Sequence, residues 1–216
     1  MELLLIAFIW VLNLAISFWN AYACGKVWAE TKAAGGWNRF MTWMGAIMSA
    51  SGFTWCILIV VMLSLGQFGI LTPYWTKIGL EMGYLLIVPG ILFSGLMITV
   101  DSWATAYRQG GVLNYGVAAY NTYAQIHNTM SAISTMGDAL GDVIGAFTGG
   151  GKSSSSSSSS DDDANGMIAL LVLGLVLLCA CAGIALTTII IKKVSASQPL
   201  LSRAEMERNR VSLEKK

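Results

Sequence analysis

Apolar residues along this chain gather in four long runs, at about 3–24, 44–71, 78–100 and 167–191. Each is long enough to cross a hydrocarbon core of roughly 30 Å, which takes about 20 helical residues. The fourth run is the cleanest, rich in Leu, Ile, Val and Ala, and it stops at Lys192 and Lys193. Trp28, Trp37, Trp43, Tyr74, Trp75, Trp103 and Tyr107 cluster near the ends of the other three. Aromatic residues of this kind anchor helices at the headgroup level. The first run opens with "MELLL", which has no Lys or Arg, and it exceeds the usual length of a signal-peptide core. Despite Ala21 and Ala23 before Cys24, it reads as a retained span.

Between the third and fourth runs lies "VLNYGVAAYNTYAQIHNTMSAISTMGDALGDVIGAF", Val112–Phe147. At alternating spacings of four and three, Ala119, Tyr123, Ile126, Met130, Ile133, Gly137, Leu140, Ile144 and Phe147 form one apolar stripe. Asn114, Asn121, Gln125, Asn128, Thr135, Asp138 and Asp142 fall mostly off it. That periodicity predicts an amphipathic helix. A segment crossing the bilayer would carry three Asn, a Gln and a His into hydrocarbon, and each needs a partner there. The expectation is therefore all-α, with four transmembrane helices and one long amphipathic helix between the third and fourth. Counting Lys and Arg pulls the other way. Four crossings divide them eight to five between the two sides, whereas a fifth crossing by 112–147 divides them eleven to two.

The expected organisation is a three-span region over 1–111, the amphipathic helix over 112–147, a disordered Gly/Ser/Asp linker over 148–166, the fourth span over 167–191 and a basic tail over 192–216. Pro89-Gly90, inside the third run, is expected to kink or open that helix. The linker, "GGGKSSSSSSSSDDDANG", has nothing to bury and reads as a spacer. Gly137, Gly141, Gly145 and Gly149 repeat every four residues, a ridge along which another helix can approach.

Composition supports the membrane reading. Only 12% of residues are charged, about half the usual share of a soluble domain. Net charge is +1, which provides no basic field for nucleic acid. Cys24, Cys56, Cys179 and Cys181 all lie in or beside apolar runs, so no extracellular disulfide framework is expected.

Candidate chemistry is sparse. Met41, Met44 and Met48 share a helix face, and thioethers suit Cu(I), but methionine also fills gaps in apolar packing. Cys179 and Cys181 project about 200° apart on a helix and do not converge on one ion. Glu81 is the most deeply embedded acid, and Lys77, four residues earlier, offers it an ion pair. Asn13 sits midway along the first run, where an amide can bond between helices. His127, the one histidine, has no acid within ten positions. No catalytic or cofactor-binding signature occurs.

The sequence thus points to a non-enzymatic, multi-pass membrane protein that acts as a scaffold or assembly subunit, without cofactor or metal. Its partners are the lipid bilayer and other membrane subunits, including further copies of itself. Its basic tail faces the cytoplasm, held to the inner leaflet by Lys and Arg. The interface residues are Ala119, Tyr123, Ile126, Met130, Ile133, Gly137, Leu140, Gly141, Ile144 and Gly145, with Asn13 and Glu81 as intramembrane polar positions. The alternative is a channel, transporter or pore-forming protein whose polar 112–137 face lines water.

Overall fold

A computed structural model describes residues 2–34, 36–148 and 161–197, with side chains for 7–28, 36–148 and 166–197. It consists of five helices: α1 (Glu2–Ala34), α2 (Gly36–Gln67), α3 (Pro73–Gln109), α4 (Val112–Phe147) and α5 (Asp161–Ser197). Four of them, α1, α2, α3 and α5, are long and apolar enough to cross a membrane. The linker expected over 148–166 falls largely outside the described residues, although α5 already begins at Asp161. The basic tail beyond Ser197 also lies outside them.

Local chemistry sets the turns. Gly69 adopts a φ of 71° just after α2. Thr72 then caps α3, its side-chain oxygen accepting from the Trp75 backbone N–H, and Pro73 occupies the first turn, where no N–H is required. The helix continues through Pro89 to Gln109. Gly110 and Gly111 follow with φ of 65° and 88°. Two consecutive left-handed residues are a glycine privilege, and here they reverse the chain so that α4 returns along α3.

Interhelical contacts fix the directions. Trp10 Nε1 donates to the Cys56 carbonyl at 3.0 Å, Ser49 Oγ donates to the Ser17 carbonyl at 2.8 Å, and Cys24 lies on Thr42, so α1 and α2 are antiparallel. Leu58 packs on Gly83, Met62 on Gly79 and Met44 on Ser94, so α3 runs back along α2. On α5, Val172 meets Gly79, Gly183 meets Thr54, Thr187 meets Ser49 and Val194 meets Gly25. Hence α5 is antiparallel to α2 and parallel to both α1 and α3.

The main core joins α2, α3 and α5 through Leu58, Met62, Ile78, Val172 and Val176, with Ala146 of α4 at its edge. Small residues permit the closest approaches. A Cβ on Gly183 would stand 2.7 Å from the Thr54 nitrogen and 2.8 Å from the Ala50 carbonyl oxygen, so the α2 and α5 backbones touch there. Close approach at small residues is how helices associate where lipid offers no hydrophobic drive.

Candidate functional site

The α3–α4 seam is the polar heart of the molecule. Its α4 side comprises Ala118, Thr122, Gln125, Thr129, Ala132, Met136, Ala139, Val143 and Ala146, again at spacings of four and three, and each is buried or half-buried. Small side chains let the two helices approach, and polar ones bond across. Trp103 Nε1 donates to Thr122 Oγ1 at 2.9 Å, and Asn121 Nδ2 donates to Ser102 Oγ at 2.7 Å. Gln125 Nε2 donates to the Leu92 carbonyl at 2.9 Å, its side chain filling the space left by Gly95. Asn114 Nδ2 donates to the Gly110 carbonyl at 2.7 Å and so closes the reversal.

The apolar stripe of the sequence reading lies elsewhere. Ala119, Tyr123, Ile126, Met130, Ile133, Gly137, Leu140, Ile144 and Phe147 are all exposed, as is Gly141, and Gly145 is half-buried. Among the described residues, no atom of another helix comes within 4 Å of a Cβ built on Gly137, Gly141 or Gly145. The contrast between neighbours is sharp: Ala132 is 6% exposed and Ile133 63%. The packed seam is the expected stripe shifted by one residue, about 100° around the axis. Apolar periodicity does not reveal Ala118, Ala132, Ala139 and Ala146, although their small size at multiples of seven residues was visible.

A second feature lies at the far end of the same seam. Lys77 Nζ pairs with Glu81 at 3.4 Å, the expected partner, and with Asp142 of α4 at 2.5 Å. Glu81 Oε2 is buried and has no hydrogen-bond partner among the described residues. Lys77 and Glu81 border a cleft of about 630 Å³ between α2, α3 and α4, which Gln67, Tyr84, Thr135 and Asp138 also line. This ion-paired cluster ties the α4 C-terminal half to the start of α3. At the opposite end, a largely apolar cavity of about 620 Å³ is lined by Trp28, Trp43, Ile184, Thr187 and Lys192.

The remaining candidates are scattered. Asn13 Oδ1 stands over Gly52 of α2, 3.3 Å from where a Cβ would be. His127 is exposed and stacks on Tyr123 with centroids 6.3 Å apart. Met44 is buried against Ser94, while Met41 and Met48 are only half-buried. The four cysteines are free thiols, with Cys179 buried and Cys181 exposed on the same helix. Among the described residues no three His, Cys, Asp or Glu side chains come together as a metal site.

Four apolar helices of spanning length in an all-helical chain define an integral, multi-pass membrane protein. No protein-family model, curated protein or solved structure matches it.

Proposed function

We propose that this is a non-enzymatic scaffold or assembly subunit of a membrane, working through the outward face of α4. One observation carries the reading: α4 seals its small and polar face onto α3 and leaves its large apolar residues unpartnered. Tyr123 and Met130 are each 70% exposed, on a large apolar face that no other described helix covers. Such faces serve as contact surfaces, and the open Gly137–Gly141 sector offers a neighbour close approach. On this reading the protein associates with copies of itself or with another membrane subunit, and its C-terminal tail is cytoplasmic.

The alternative is a channel or transporter, and the cleft beside Lys77, Glu81 and Asp138 is the feature that favours it. Against it, Asn114, Asn121 and Gln125 spend their amides on the Gly110 carbonyl, Ser102 and the Leu92 carbonyl, not on a water path.

The deciding experiment is the size of the purified protein in mild detergent, by light scattering. Ile126→Asp with Ile133→Asp, and separately Gly141→Leu, are expected to reduce an oligomer to its protomer. Gly141→Leu adds bulk into open space, so it leaves the single chain folded. Unchanged particle size in both variants would sink the assembly role.

A further inference from the structure

The directions of the helices constrain how the chain threads a membrane. At one end of the bundle stand Trp28 of α1, Trp37 and Trp43 of α2, Trp103 and Tyr107 of α3, and Tyr115 of α4. They are linked by ring contacts within the pairs Trp28–Trp43 and Trp103–Tyr115 and by the bond from Trp37 Nε1 to Asp101 at 2.7 Å. The C-terminal part of α5, with Ile191 and Val194 against Gly25, ends there too. At the other end lie Trp75, Lys77, Asp142 and Val172.

α3 therefore finishes at the aromatic end, while α5 sets out from the opposite one. If both cross, whatever joins them must carry the chain back through the full thickness. Among the described residues only α4 is there to do it. Its 36 residues extend about 54 Å, and it is held to α3 from Trp103–Thr122 at one end to Lys77–Asp142 at the other. A helix bonded along the whole of a spanning helix shares its depth.

From this we infer that α4 is a fifth transmembrane crossing, with Ile126, Met130, Ile133, Leu140 and Ile144 facing lipid acyl chains. Two independent observations agree with it. Three of the four amides that made a crossing look costly are satisfied, because Asn114, Asn121 and Gln125 bond to the Gly110 carbonyl, Ser102 and the Leu92 carbonyl, which leaves Asn128 and His127 on the outward side. The basic residues also sort by end. Lys26, Arg39, Arg108, Lys192 and Lys193 lie at the aromatic end, whereas Lys77 alone among the described residues lies at the other, paired with two acids. The positive-inside rule then places the aromatic end and the C-tail in the cytoplasm and the N-terminus on the far side. At the seam itself small and polar residues turn inward and Ile126, Met130, Ile133 and Ile144 turn outward, the reverse of a helix packed in water. The crossing does not rest on the assembly role: the protomer presents this face at hydrocarbon depth, where acyl chains cover it in the protomer and a neighbouring copy in the assembly.

Sidedness in sealed vesicles tests it. Single cysteines at Gln109, Thr148 and Ile133, in a background lacking the native four, are labelled with an impermeant maleimide. Gln109→Cys and Thr148→Cys are expected to react from opposite sides, and Ile133→Cys from neither. Reaction of the first two from one side, or ready labelling at Ile133 (a face in water or loosely on a surface), would overturn the proposal. With the native cysteines kept, epitopes at the two termini give the same reading by protease protection. Opposite sides support five crossings, and the same side refutes them.

Discussion

Gln125 of α4 occupies the gap that Gly95 leaves on α3: a Cβ at Gly95 would overlap the glutamine side-chain oxygen. The pair joins shape to chemistry, since the amide nitrogen held there donates to the Leu92 carbonyl at 2.9 Å. It lies between the Trp103–Thr122 bond and the Lys77–Asp142 ion pair, one turn of α4 from the former, and so helps set the register of α3 against α4.

Gly95→Val should loosen that register. Overpacking of this kind costs roughly 1–3 kcal/mol, read as a fall in the thermal midpoint in detergent. Gln125→Ala, which vacates the same space, should recover part of the loss. A double variant as unstable as the sum of the two singles would show that the residues do not meet.

Gly183→Ala should be costly for so small a change. The added methyl points at backbone, the Thr54 nitrogen and the Ala50 carbonyl oxygen, which cannot rotate away as a side chain can. A loss of about 1–3 kcal/mol in unfolding free energy is expected, with Gly174→Ala, in open space on the same helix, close to neutral. Equal effects at the two positions would contradict the backbone contact between α2 and α5.

How much of this was legible beforehand differs by element. The four spans were readable because runs of Leu, Ile and Val need no partner to identify them, and the Lys77–Glu81 pair followed from spacing alone. The helix at 112–147 was readable as a helix. Its orientation was not, because apolar periodicity identifies the buried face only where the surroundings are water. Within hydrocarbon, packing selects small residues and hydrogen bonds, and Ala132 rather than Ile133 turns inward. Asp142 as the second partner of Lys77 was hidden too, since a separation of 65 residues leaves no local pattern.

Lys77→Met should affect the molecule more than Asp142→Asn. Lysine serves both carboxylates, and its loss leaves Glu81, whose Oε2 is already buried without a partner, with no counter-charge. The double variant Lys77→Met, Glu81→Leu should be more stable than Lys77→Met alone. The Asp142 contact, being exposed, should weaken with added salt. Thermal midpoints of these variants at low and high ionic strength give the ranking, and an Asp142→Asn effect larger than that of Lys77→Met would reverse it.

The most direct test is a nitroxide scan of positions 125 to 136 in lipid bilayers, recording collision with oxygen and with a water-soluble nickel chelate. In the protomer, dispersed by Gly141→Leu, the α4 arrangement predicts oxygen accessibility with a helical period, highest at Ile126, Met130 and Ile133 and lowest at Gln125, Thr129 and Ala132, with little nickel contact across the stretch. A pattern displaced by one residue, with Ala132 open and Ile133 shielded, would contradict the account.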